Sequence, residues 1–309
     1  MPTRVLYFGT PAFSAAFLEA LINDTAFDVV GVVCQPDEPQ GRKKIITPPP
    51  TKVLAQERGV PVILQPTKLK EETFLKTVTD LKADLFVIVA YGRILPNAIL
   101  NQPSLGTVNV HPSLLPLWRG PSPMQAAIAN RDTQTGISIM KIDDQMDHGP
   151  LLAQITLPLT GKETTPDLTA TVIERGAPLL VETLKDYIDG KITPVEQNHD
   201  QATYCKLLTK EDGRFNPELS AEATEAAWRA YQPWPGLTAT IPTERGDITA
   251  KLLGLEMTSD IFPAGSWHVV NDCLLVGTTS TALKVTSLQP ATSKAMNAEE
   301  FLRGHQLKT

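Results

Sequence analysis

Asn109 and His111 stand two residues apart at the end of a β-rich run, "GTVNVH", and a proline-dense stretch follows at once, "PSLLPLWRGPSP". Further on, "KIDDQMDHGP" brings Asp143, Asp144 and Asp147 to the end of a second such run. An amide, an imidazole and a carboxylate are the groups that acyl transfer uses. An Asn amide donates to the oxygen of a carbonyl turning tetrahedral, and losing one such donor typically costs about 2.7 to 4 kcal/mol. An imidazole moves protons near neutral pH, and a nearby carboxylate fixes its tautomer. No GxSxG or similar nucleophile context occurs, so the set points to direct transfer between two bound substrates. The same residues have plainer readings. A strand-end histidine serves as a structural hydrogen-bonding group, and Asp143, Asp144 and Asp147 suit a turn. His148, next to Asp147, competes with His111 for the proton-moving role, and spacing does not choose between them.

Holding such groups takes a scaffold, and the first 160 or so residues alternate β-rich runs with helical patterns. "RVLYFG", "DVVGVVCQ", "VPVILQ", "ADLFVIVAYG", "GTVNVH", "GISIMKID" and "GPLLAQITLPL" read as strands, with "PAFSAAFLEALI", "PPTKVLAQERG" and "SPMQAAIANR" as helices. Strands separated by helices predict a parallel α/β sheet with right-handed crossovers. Ligands gather at the carboxyl ends of such strands, so the Asn/His end and the acidic end are expected on one rim. A long helix is predicted between Thr164 and Gly190, and residues 191–208 lose periodicity and read as a linker. From 209 to 309, short alternating runs punctuated by Gly, Asn and Asp predict a small antiparallel, OB-like β-barrel. The expected organisation is therefore a domain over 1–190, the linker and a second domain over 209–309.

Composition narrows the classes further. Of the 309 residues, 42% are hydrophobic and 20% charged, as in an ordinary globular protein. The apolar run "LFVIVA" is strand-sized, whereas a spanning helix needs about 20 residues. The apolar stretch before Gly9 is too short for a signal peptide, so a cytoplasmic protein is expected. Cys34, Cys205 and Cys273 lie far apart without a CxxC spacing, which argues against a disulfide framework and a zinc site. Neither GxGxxG nor HExxH is present, so no dinucleotide site and no metal are expected. A net charge of −6 disfavours nucleic acid unless positive charge is concentrated locally. "GRKK", Gly41 to Lys44, is the clear concentration, although it also suits a solvated loop. From Cys205 to the end, ten Lys and Arg face twelve Asp and Glu, so that region is not basic.

Taken together, "NVHPSLLP" and the later "MDHGP" at Met146 to Pro150 resemble the folate-dependent formyltransferases. "FGTPAF", "QPDEPQGRKK", "TPPPTKVLAQERGVPV", "RAYQPWPG", "LQPATSKAM" and "FLRG" are similar to the branch whose acceptor is an aminoacylated tRNA. The resemblance implies a Rossmann-like N-terminal formyltransferase domain and a C-terminal barrel that helps hold tRNA. It implies Asn109, His111 and Asp147 as the catalytic set and Ser113, Leu114, Leu115 and Pro116 as the folate loop. Arg42, with Lys43 and Lys44 beside it, falls where the family sets a loop against the acceptor stem. Gln40 and the run Pro48 to Pro50 depart from that loop's usual form. The implied reaction carries the formyl group of 10-formyltetrahydrofolate, a co-substrate, to the α-amino group of methionine on initiator tRNA, for translation initiation. A monomer is expected. A formyltransferase acting on a small amine, such as glycinamide ribonucleotide or an amino sugar nucleotide, would keep the catalytic set and the folate loop. A non-catalytic RNA-binding protein is the alternative from another class. If RNA is held, Lys206, Lys210, Arg214 and Lys251 are expected to share a face, with affinity falling as salt rises.

Overall fold

The computed structural model describes residues 1–41 and 43–308. Arg42 lies outside the described residues. Two units form. The first comprises Met1–Pro123, Thr135–Pro158 and Thr169–Cys205; the second comprises Met124–Gln134, Leu159–Leu168 and the chain from Lys206 onward.

Along the chain run β1 (Thr3–Gly9), α1 (Ala12–Asn23), β2 (Phe27–Val33), β3 (Glu38–Gln40), β4 (Ile45–Thr47), α2 (Pro50–Glu57), β5 (Ile63–Leu64) and α3 (Glu72–Asp80). There follow β6 (Leu85–Val89), α4 (Asn97–Leu100), β7 (Thr107–His111), α5 (Pro123–Ala129), β8 (Gln134–Lys141), β9 (Leu151–Pro158) and α6 (Thr165–Ile188). The large sheet has the order β5-β2-β1-β6-β7-β8-β9. Its first five strands pair in parallel. Almost every residue of β6 and the second half of β1 is buried, because a parallel sheet is covered on both faces. Among the elements beyond the sequence reading are α3 and the pair β3 and β4. The helix α3 buries only Phe74 and Val78, which pack with Leu6, Phe8 and Phe86. The strands β3 and β4 pair as a three-residue hairpin where a loop is expected.

The sheet is mostly parallel, as expected, and departs from that beyond β7. Strand β8 runs antiparallel to β7, with Val108 opposite Lys141 and His111 opposite Ser138. The carboxyl end of β8 therefore lies beside the start of β7, and the two chemically rich strand ends do not share a rim. Periodicity reports which faces of a strand are buried but not its direction, and mixed sheets with antiparallel edges are common.

The second unit contains α7 (Ala221–Ala230), β10 (Leu237–Ile241), β11 (Ile248–Met257), β12 (Trp267–Val270), β13 (Cys273–Val276), β14 (Leu283–Pro290), β15 (Met296–Asn297) and α8 (Ala298–Gly304). Its antiparallel sheet has the order β10-β11-β14-β13-β12, with β15 on β14, and curls as a half-barrel. The register of β11 on β14 shifts at Gly254, where a Cβ would stand 2.2 Å from Thr286 Oγ1, so a side chain there would block the close approach. Leu237, Leu252, Leu274, Leu283, Val285, Leu288 and Phe301 form the core. Ser220 caps α7 by accepting from Ala223 N, and Asn297 with Glu300 makes a capping box at α8.

A second capping box lies just before this sheet. Asp212 accepts from the N–H and hydroxyl of Thr209, each at 2.8 Å, and from the Lys206 ammonium. These contacts, the Lys206 hydrogen bond foremost, hold its carboxyl at about 2 against an ordinary 3.8. A lowered folded-state value stabilises the fold above 3.8, and the contribution is lost as pH falls towards 2. Asp212→Ala is expected to cost about 1 kcal/mol near neutral pH. Urea unfolding of both proteins at neutral pH and near pH 2 checks this: the difference should close at the acidic end. No helix among the described residues is long and apolar enough to cross a membrane.

Candidate active site

Alternate residues of a strand share a face, so β7 presents Asn109 and His111 on the same side of the sheet. Asn109 lies between Ile88 of β6 and Met140 of β8 and is half-buried. Among the described residues no side-chain hydrogen bond occupies its amide, which leaves both N–H donors for an incoming oxygen. His111 is 4% exposed. Its Nε2 lies 3.0 Å from the carbonyl oxygen of Trp118, and its Nδ1 lies 3.6 Å from Asp147 Oδ2. A carbonyl and a carboxylate are both acceptors, so the ring serves them together only when each nitrogen bears a proton. The 3.6 Å separation is an ion-pair contact longer than a hydrogen bond, a spacing that substrate binding commonly tightens.

The carboxylate reaches His111 by a route that strand order does not provide. After β8 the chain turns through residues 142–150, and Lys141 N donates to Pro150 O at 2.9 Å to close the turn. Within it Asp147 adopts φ +50°, a left-handed conformation costing a residue other than glycine about 1 to 2 kcal/mol. Its Oδ2 accepts from Gly120 N at 2.7 Å. Gly120 has φ +119°, and a Cβ there would stand 2.3 Å from Cys205 O, so only glycine brings this N–H to the carboxylate.

The other residues of the turn separate by role. Asp143 Oδ1 accepts from Gln145 N at 2.9 Å and its Oδ2 meets His148 Nδ1 at 2.7 Å, while Asp144 is exposed. The His148 ring stacks on His199 with centroids 3.8 Å apart. His148 thus braces the turn, and His111 is the imidazole that faces Asp147.

The loop after His111 is pinned from below. Ser113, completely buried, donates through Oγ to Leu117 O at 2.6 Å, and its carbonyl accepts from Ser138 Oγ at 2.7 Å. Leu115, 3% exposed, donates its N–H to Ser138 Oγ at 3.1 Å and accepts at its carbonyl from Gln154 Nε2 at 2.9 Å. Leu114 and Pro116 are half-buried and Leu117 is exposed. Ser113 and Leu115 therefore support the ledge, while Leu114 and Pro116 are the members whose side chains reach solvent. Lys43 and Lys44 are exposed at the tip of the β3–β4 hairpin, next to exposed Ile45 and Ile46. Among the described residues no hydrogen bond or ion pair joins them to Asn109, His111 or Asp147.

The stretch read as a linker, residues 191–208, pairs with the chain around Arg119. Arg119 N donates to Thr203 O and Cys205 N donates to Arg119 O, at 2.9 and 2.8 Å, and Trp118 N donates to Thr203 Oγ1 at 2.9 Å. Burial pushes the Cys205 thiol up, and its Sγ accepts from Ser122 N at 3.3 Å, so it is a packed and inert thiol here. The same stretch carries Gln197 and His199 to the Arg119 guanidinium. No local sequence signal marks these residues, because their partners are some 80 positions away.

Two family models match this chain: Formyl transferase over residues 3–184, and Formyl transferase, C-terminal domain, over residues 207–306. The chain belongs to the formyl transferase family. It is 42% identical over 307 residues to the methionyl-tRNA formyltransferase of Roseiflexus sp. (strain RS-1), covering 99% of this chain and 94% of that protein. It is 40% identical over 314 residues to the methionyl-tRNA formyltransferase of Chloroflexus aurantiacus, covering 97% and 96%. Among solved structures, an N-formyltransferase from Helicobacter canadensis in complex with folinic acid and dTDP-3-aminofucose aligns with TM-score 0.66 at 14% identity, over 94% of this chain and 100% of that one. HypX from Aquifex aeolicus in complex with tetrahydrofolic acid aligns with TM-score 0.62 at 16% identity, over all of this chain and 49% of that one. At these identities the structural likeness establishes the formyl transferase fold. This chain spans about half the length of HypX.

Proposed function

We propose that this formyl transferase carries the formyl group of 10-formyltetrahydrofolate to the α-amino group of methionine on initiator tRNA. The observation that carries the chemistry is the Asn109 amide on the strand face that also holds the His111–Asp147 pair. Choice of acceptor rests on the 42% identity that runs through both domains to a methionyl-tRNA formyltransferase. We assign catalysis to residues 1–190, a connection to 191–208 and tRNA contact to 209–309, in a monomeric cytoplasmic enzyme.

A free α-amine has a pKa near 7.7 to 8.0, so a useful fraction is nucleophilic at neutral pH without a strong base. The Asn109 amide donates to the formyl oxygen as negative charge grows on it, and the positive charge of protonated His111, whose N–H groups face Trp118 O and Asp147, stabilises that charge through space. Asp147 steadies the imidazolium and collects the proton that leaves the amine. A new C–N bond forms to methionine, the bond from the formyl carbon to folate N10 breaks, and the proton ends on that nitrogen. Leu114 and Pro116 offer an apolar ledge to the pterin ring, held rigid by Ser138 and Gln154.

Positive charge for the tRNA is sparse. Lys206 and Arg214 pair with Asp212 and Glu211, and Lys251 Nζ donates to Pro233 O. Of the four cations expected on one face, Lys210 alone has no ion-pair or hydrogen-bond partner for its side chain among the described residues. We assign the contact with the tRNA phosphates to Arg42, Lys43 and Lys44. The test is transfer from 10-formyltetrahydrofolate to three acceptors: methionyl initiator tRNA, methionyl elongator tRNA and small amines. Preferential formylation of the initiator, weakening as salt rises, is the expected result. Transfer to a small amine alone would move the enzyme to the small-substrate branch.

A further inference from the structure

The amide of Gln197 lies at the centre of the contacts behind Asp147. Its Nε2 donates to Asp147 O at 3.0 Å and to Gly149 O at 2.7 Å, the two carbonyls that flank His148. Its Oε1 accepts twice from Arg119, from Nε at 3.2 Å and from a terminal nitrogen at 2.7 Å. Arg119 is 2% exposed, and no carboxylate lies within ion-pair distance of it among the described residues. A guanidinium has donors only, so it fixes the orientation of the Gln197 amide and commits Nε2 to the turn. The same logic fixes His199. Its Nδ1, 2.8 Å from an Arg119 terminal nitrogen, must accept, which places the ring proton on Nε2 and sets the plane that stacks on His148.

Residues 147–149 are thus held at every side: both carbonyls by Gln197, the His148 ring by Asp143 and His199, and the Asp147 carboxylate by Gly120. An αL residue other than glycine persists where its surroundings over-determine it, and here one side-chain amide supplies two of the contacts that do so. We propose that Gln197, oriented by Arg119, is a positioning residue that sets the Asp147 carboxylate against His111. This rests on the reading of Asp147 as the carboxylate of the transfer reaction.

Gln197→Glu separates positioning from general support. A carboxylate keeps the size of the side chain and its acceptor for Arg119, but it turns an acceptor where two backbone carbonyls need a donor. The prediction is a fall in kcat for formyl transfer to methionyl initiator tRNA of about 10²-fold, the scale of a misplaced catalytic group. KM for both substrates, and the stoichiometry and affinity of folinic acid used as a non-reacting probe, should match the parent enzyme. An unchanged kcat, or a fall matched by an equal loss of folinic acid sites, would overturn the proposal. His199→Phe keeps a flat ring on His148 and removes the ring nitrogens, the acceptor for Arg119 among them, so its loss should be smaller; an equal or greater loss would move the role from Gln197 to the His199–Arg119 contact. Asp147→Asn run alongside keeps the two ideas apart. If it transfers like the parent, the reading of Asp147 fails; if it is impaired while Gln197→Glu is not, the clamp alone fails.

Discussion

Asp147→Asn is expected to lower kcat by about 10²- to 10⁴-fold, the range that a positioned acid-base group contributes. Asparagine preserves the volume and an oxygen that can accept from Gly120 N, so the turn should survive. What disappears is the negative charge facing His111 Nδ1 and the site for the amine's proton. Folinic acid affinity should stay at the parent value, because the loop from Ser113 to Pro116 is held by Ser138 and Gln154 and not by Asp147. Single-turnover kinetics beside a folinic acid titration reads both quantities. Adding His111→Ala to Asp147→Asn should deepen the loss far less than the product of the two single effects, since paired groups act as a unit. Parent-like turnover in Asp147→Asn would remove the carboxylate from the reaction.

Asn109→Ala is expected to cost about 10²- to 10³-fold in kcat, the penalty for deleting one donor to a developing oxyanion. KM for the tRNA should stay near the parent value, because this donor strengthens its bond as charge appears on oxygen, not in the ground state. Asn109→Asp separates donation from size: it is nearly isosteric but places an acceptor, or a second negative charge, at the formyl oxygen, and should be at least as impaired as alanine. A loss confined to KM in either variant would make Asn109 a substrate-binding group only. The strand should tolerate both changes, because Asn109 keeps its backbone pairing with Ile88 and Met140 whatever its side chain.

The main elements of residues 1–190 were legible because they are long or strongly patterned: β6 and β7 bury nearly every residue, and α6 spans 24 residues. The elements that went unread carry weak signals. In "ETFLKTVTD" only two residues are buried and no side chain caps the start, so α3 takes its stability from packing on the sheet. Three-residue strands such as β3 and β4 are too short to show a period of two. Within the site, Asn109, His111 and Asp147 stand in recognisable motifs, whereas Arg119, Gln197 and His199 acquire meaning through contacts between stretches distant along the chain.

What the amino-acid sequence determined by itself is the inventory and its local geometry. A two-residue spacing on a strand puts Asn109 and His111 on one face by the pleat alone, and the prolines after His111 restrict the loop that follows. Tertiary structure decided everything that depends on direction and on distant partners. It turned β8 against β7, so that Asp147 reaches His111 through a left-handed turn and not along a shared rim. It engaged His148 with Asp143 and His199, leaving His111 to face Asp147. It drew the aperiodic stretch around Gln197 into the wall of the site, because a buried guanidinium and two unpaired carbonyls both needed partners that only a chain segment far away could supply.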